Sequence, residues 1–151
     1  MEAPRTPAQW FAVVAGVVLI PFGVLALVLG SANFGPVGIT GGEQFLLWRV
    51  SGWETILYMA SGALGLLAAS RVDGARMYAL VAGLVYAAIA VWGFIDGNSV
   101  INLLAVDTTD NISYAVIGGL GLVAGSLPES AQRGAGVGGD RSRPGTRARA
   151  T

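Results

Sequence analysis

Four stretches of this chain are long enough and apolar enough to cross a lipid bilayer as helices, and that limits its fold more than any other feature. Trp10 to Gly30 runs without a charge, and so does Met77 to Ile95. Gly52 to Ala69 and Thr108 to Gly125 are slightly shorter than the first run and carry one acid apiece, Glu54 and Asp110. At about 1.5 Å of rise per residue such helices reach roughly 27 to 31 Å, the thickness of the hydrocarbon layer. Composition agrees. Only 12% of residues are charged, about half the share of an ordinary soluble domain. The 23 glycines suit membrane helices, where small residues let backbones approach. A secretory leader ending near Ser31-Ala32 is the rival reading of the first run, but the run is long for a leader and its start weakly basic.

The segments between the runs read as connectors. Residues 1–9 are a short polar start. Residues 31–50 hold Gly35-Pro36, Gly38 and Gly41-Gly42 and read as a loop, with Phe45-Leu46-Leu47-Trp48 as a short interfacial element, since Trp favours the headgroup level. Ser70 to Arg76 reads as a charged turn, Asp96 to Ser99 as a break, and Val100 to Ala105 as an apolar link at the interface. Pro21 is expected to kink the first helix. Residues 10–127 thus form the membrane domain. Residues 128–151 are Gly, Ser, Pro, Ala and Arg with few large apolar side chains, and read as a disordered tail.

Arginine placement orients the chain, by the excess of cations on cytoplasmic loops. There is no Lys, and all nine cations are Arg, a bias that fits a high-GC bacterial genome. With both termini cytoplasmic, the inner segments hold Arg5, Arg71, Arg76, Arg133, Arg141, Arg143, Arg147 and Arg149, and the outer ones hold Arg49 alone. The expectation is a multi-pass protein of the plasma (inner) membrane.

The second and fourth runs repeat. Positions 50–70 laid over 106–126, without gaps, agree at Val50/Val106, Ile56/Ile112, Tyr58/Tyr114, Gly62/Gly118, Leu64/Leu120, Gly65/Gly121, Leu66/Leu122, Ala68/Ala124 and Ser70/Ser126. Glu54 falls on Asp110. The first and third runs also align, with Val14-Ala15-Gly16 on Val81-Ala82-Gly83. Shared Ala/Gly/Val/Leu content explains that second likeness readily. It explains less well a polar cap, an acid, a Tyr and a Gly-x-x-Gly coinciding in the other pair. The fold class expected is therefore an all-α membrane protein: four transmembrane helices as two tandem hairpins in a parallel repeat, related by an axis along the membrane normal.

Two copies of a polar or acidic cap, an aromatic residue four positions after the acid, and then Gly-x-x-Gly-Leu resemble a family of small four-helix bacterial membrane proteins defined only as a domain of unknown function. Val106 to Asn111 is the most specific piece, and the resemblance covers roughly residues 8–127. It implies a four-helix fold and no activity. Family members commonly carry Asn in the first cap and His where this chain has Tyr58 and Tyr114. Any metal or proton role of those His residues does not carry over.

The residues able to do chemistry gather at the outer ends of the second and fourth runs: Glu54 and Tyr58, and Asp107, Asp110, Asn111 and Tyr114. Residues four apart share a helix face, which sets Glu54 under Tyr58 and Asp110 under Tyr114. Carboxylate oxygens suit a hard cation or a proton. The simpler reading is structural: acids in a first turn cap free N–H groups and offset the helix dipole, and Tyr belongs at an interface. Gly16, Gly62, Gly65, Gly83, Gly118 and Gly121 are expected to pack helices closely, and no run carries the polar stripe of a pore.

With no Cys and no His, thiolate and imidazole chemistry is excluded. Neither a Walker loop nor a dinucleotide fingerprint occurs, and the glycines of 134–139 lack the Lys and the strand–helix setting. No catalytic residue, metal centre or cofactor is expected, and no nucleic acid, for want of an aromatic platform. The expected partners are membrane lipids, with a second copy or a larger membrane complex as further ones. Three readings follow: a structural or partner-binding membrane component, a small ion-coupled transporter or ligand-binding protein using the acidic/Tyr cluster, and a membrane-surface enzyme.

Overall fold

A computed structural model of the chain describes residues 5–30, 34, 43–96, 99–100, 104–105 and 107–128. The expected tail after Pro128, much of the expected first loop and half of the Val100 to Ala105 link lie outside them. Among the described residues four α-helices make the architecture.

Helix α1, Pro7–Leu25, starts ahead of the expected Trp10. Thr6 and Gln9 form a capping box, with Thr6 N–H donating to Gln9 Oε1 at 3.0 Å and Gln9 N–H to Thr6 Oγ1 at 3.3 Å. Pro7 takes the first helical position, where its missing N–H costs nothing. The helix continues past Pro21 and widens into a π turn, Ala26–Gly30.

Helix α2, Gly52–Ala68, begins on Ser51 as the capping spacing predicts. Helix α3, Val72–Asp96, starts more than a turn before the expected Met77. The charged stretch is mostly helix and not turn: Ala75 N–H already donates to Arg71 O at 2.8 Å, and Asp73 sits in the first turn, where a negative charge offsets the dipole. Helix α4 is Thr108–Ser126.

Two small antiparallel ribbons add to the helices. Strand β1, Glu43–Phe45, pairs with β2, Trp48–Val50, just before α2. Strand β3, Ser99–Val100, pairs with β4, Leu104–Ala105, just before α4. The sequence reading has only loop and interfacial link there, because the first turn carries none of the usual signals. Leu46 holds it at φ 55°, a left-handed conformation that a Leu adopts at some cost.

Helix α1 packs on α2, and α3 on α4, through glycine. A Cβ on Gly65 would lie 2.8 Å from Ala12 O, and one on Gly121 would lie 2.8 Å from Ala79 O. One on Gly16 would lie 2.9 Å from Gly62 O, and one on Gly83 would lie 3.0 Å from Gly118 O. One on Gly118 would fall 2.6 Å from Ala87 N. No side chain fits in these seams, so the backbones touch. Gln9 Nε2 donates to Ala69 O at 2.9 Å and Arg76 Nε to Gly125 O at 3.0 Å. These two bonds gather the starts of α1 and α3 and the ends of α2 and α4 at one end. The ribbons and the starts of α2 and α4 lie at the other.

The core is aromatic toward the ribbon end, with Tyr58, Tyr86 and Tyr114 among its members, and alanine-lined at the opposite end through Ala8, Ala12, Ala75 and Ala79. Large apolar side chains point outward on every helix: Val17 is 60% exposed, Leu67 73%, Leu84 64% and Val123 60%. Two helical stretches, Pro7–Gly30 and Val72–Asp96, are long and apolar enough to cross a membrane. Helix α2 is shorter, and α4 opens with a polar first turn.

Candidate functional site

The polar residues singled out in the sequence lie at the ribbon end, and their local folding follows from two caps. Ser51 N–H donates to Glu54 Oε2 at 2.8 Å and Glu54 N–H to Ser51 Oγ at 3.4 Å. In α4, Asp107 N–H donates to Asp110 Oδ2 at 3.0 Å and Asp110 N–H to Asp107 Oδ1 at 3.0 Å; Thr109 N–H donates to the same Oδ1 at 2.7 Å. Each acid therefore satisfies backbone donors that a helix start leaves orphaned. Both Glu54 and Asp110 are fully buried, while Asp107 is half-buried.

Glu54 also reaches across the molecule. Its Oε1 accepts from the Tyr114 hydroxyl at 2.7 Å, and the Tyr114 oxygen lies 2.6 Å from that of Tyr58. Because Tyr114 gives its one proton to Glu54, Tyr58 donates to Tyr114. The hydrogen bonds thus run from Tyr58 to Tyr114 to Glu54, joining α2 to α4. Glu54 is bonded not to Tyr58 on its own helix but to the tyrosine of the other hairpin. Sequence spacing reads same-face neighbours on one helix, and α4 brings its tyrosine closer.

Asp110 is placed differently. Its Oδ2 accepts a second bond, from Arg49 N–H of β2 at 3.2 Å, while its Oδ1 is buried with no hydrogen-bond partner. Asn111 turns toward α3, where its Oδ1 occupies the space a side chain on Gly93 would take; that oxygen is also buried and unpartnered. The structure therefore brings Glu54, Tyr58 and Tyr114 together, and leaves Asp107, Asp110 and Asn111 outside that chain of bonds. Among the described residues no three acids gather into a set able to hold a metal ion.

Three contributors escape a reading of the sequence. Tyr86, 1% exposed, stacks tilted on Tyr114 with ring centroids 5.8 Å apart, and its hydroxyl has no partner. It shares a face with Ala79, Gly83 and Ala90, and a polar tip on a stripe of small residues is a signal that could have found it. Trp48 donates from Nε1 to Ser113 Oγ at 3.1 Å, tying the first ribbon to α4. Arg49 acts through its backbone N–H, which no residue type announces.

Trp48 and the two tyrosines border an apolar groove of about 390 Å³ between α1 and α4. Phe22 meets Trp48 edge-on at 5.3 Å and Tyr58 at 5.5 Å. The site can thus cap helices, lock two hairpins together and present an apolar recess beside buried hydroxyls.

A family model described as a domain of unknown function (DUF4383) matches residues 9–127. No curated protein and no solved structure matches the chain.

Proposed function

The chain belongs to the DUF4383 family, and from that footing we propose that it is a four-span integral membrane protein with a structural or accessory role, built as two tandem hairpins. The observation that carries this reading is where the polar groups go. Glu54, Tyr58 and Tyr114 spend their hydrogen bonds on one another and on the Ser51 cap, while apolar side chains cover the outside of all four helices. A soluble monomer rarely exposes so much contiguous apolar surface. Helices α2 and α4 share in it through Leu64, Leu67, Val116 and Val123, which supports four crossings and not two.

Matched contacts support the duplication. The seam of Gly65 on Ala12 recurs as Gly121 on Ala79, in the register of the two sequence alignments, and a ribbon precedes both α2 and α4. Charge placement supports the orientation. Arg71 and Arg76 lie at the end where α1 starts and α4 finishes, and Arg49 lies at the ribbon end. The termini are then cytoplasmic and the ribbons external. Lipids are its first partners, and its outward faces are free for a second copy or a larger complex. It is not an enzyme in this reading.

The buried, unpartnered Oδ1 of Asp110 favours a second reading, in which that end holds a small cation or serves ion-coupled transport. One experiment separates the two. Full-length protein in lipid nanodiscs is melted with and without sodium, potassium, magnesium and calcium. The structural reading expects no cation-dependent shift in Tm and a lowered Tm in Glu54→Ala. A saturable, cation-specific rise in Tm that is lost in Asp110→Ala favours the second.

A further inference from the structure

We propose that the groove between α1 and α4 is a seat for one acyl chain of a bilayer lipid, entered sideways from the membrane. The proposal rests on the membrane reading above and adds a binding site to it. Val18 and Phe22 of α1, Ile112 and Val116 of α4, Trp48 of β2 and Tyr58 of α2 form most of its wall.

The groove has a volume of about 390 Å³ and opens on the outer face of the helices. It is of the size that takes ligands. The rim fixes the direction of access: Val18, Ile112 and Val116 are more than half exposed and belong to the same outward apolar surface that lipid would cover. The ribbon end is closed by Trp48, whose indole is pinned by its bond to Ser113 and its edge contact with Phe22.

Polarity identifies the occupant. The hydroxyls at the wall are engaged, Tyr58 and Tyr114 with each other and Glu54, and Ser113 with Trp48 and Thr109 O. Water needs two or more polar partners to be held, and the wall of this groove is almost entirely carbon, with its hydroxyl protons already donated elsewhere. A charged or strongly polar head would lose its hydration without compensation. A hydrocarbon chain loses nothing and restores the dispersion contacts that the facing walls lack. The groove is thus continuous with the lipid-facing surface and matched to the one component of that phase that fits it. The two halves differ at this point. In the alignment of the first and third runs, Leu19 and Phe22 fall on Tyr86 and Ile89, and Tyr86 is buried in the core. The second half therefore places a ring where the first has Leu19 and a smaller Ile where the first has the groove-lining Phe22.

The test uses tryptophan fluorescence and lipids brominated on the upper acyl chain, which quench on contact. Full-length protein carrying Trp10→Phe, Trp53→Phe and Trp92→Phe leaves Trp48 as reporter. A sister protein keeps only Trp92, which is 51% exposed on α3. In brominated nanodiscs both reporters are expected to be quenched. Val18→Phe and Val116→Phe, each placed separately at the rim, are expected to remove most of the Trp48 quenching and leave that of Trp92 unchanged, with helix content intact by circular dichroism. Quenching of Trp92 without quenching of Trp48 overturns the groove and spares the membrane reading. Quenching of Trp48 that neither rim variant reduces also overturns the groove. Absence of quenching at both positions overturns the membrane reading itself.

Discussion

Tyr114 and Tyr58 look alike in the sequence and differ in what each holds. Tyr114 supplies the donor to the buried Oε1 of Glu54, whereas Tyr58 supplies a donor only to Tyr114. Removing the first hydroxyl strands a buried carboxyl oxygen, at about 1–3 kcal/mol. Removing the second leaves Glu54 served and costs about 0.5–1.5 kcal/mol, the worth of one ordinary hydrogen bond. Thermal melts in detergent should therefore rank Tyr114→Phe below Tyr58→Phe, with wild type highest. The opposite ranking would mean that the bonds run the other way. Sequence reasoning reaches these residues because caps and aromatic spacing leave a signature. It misses their pairing because the bond joins two helices, and no local period encodes a contact between Glu54 and a tyrosine in the other hairpin. Asn111 turns toward Gly93 for a related reason: the space it fills is created by a missing side chain on another helix.

At the level of the helix, neighbouring glycines separate packing from propensity. Gly118 faces Ala87, where a Cβ would sit 2.6 Å from a backbone nitrogen, while Gly119 has nothing within 4 Å. Gly118→Ala must push α3 and α4 apart and is expected to lose about 1–3 kcal/mol, the usual cost of overpacking. Gly119→Ala meets open space and removes a flexible residue from a helix interior, so it is expected to gain about 0.5–1 kcal/mol. Both are read as Tm shifts of opposite sign in the same detergent; shifts of one sign would contradict the packed seam. The helix count is legible because apolar runs end at polar caps. The starts of α1 and α3 are less so. Thr6 with Gln9 is a capping box as clear as that of Ser51 with Glu54, but it precedes the apolar run and lacks an acid to mark it. The Arg71 to Arg76 stretch looks like a turn because it is charged, yet charge at a helix start is compatible with helix when it faces water. The first ribbon is illegible, since its turn at Leu46 uses a residue ill suited to it.

For the molecule as a whole, the reading depends on two hairpins entering the membrane from one side. The registers of the two sequence alignments reappear in paired contacts at Gly65/Ala12 and Gly121/Ala79, and this agreement between sequence register and three-dimensional contact is the strongest support for a repeat. Arginine placement adds a direction to it. The chain has no Cys, so single cysteines can be introduced on a clean background. The most direct measurement labels Leu46→Cys, Asp73→Cys, Thr108→Cys and Ser126→Cys, all at exposed positions, with a membrane-impermeant maleimide in intact expressing cells and again after lysis. Four crossings with the ribbons outside predict that positions 46 and 108 react in intact cells and that 73 and 126 react only after lysis. Labelling of 46 and 108 from opposite sides, or of all four from one side, would contradict it.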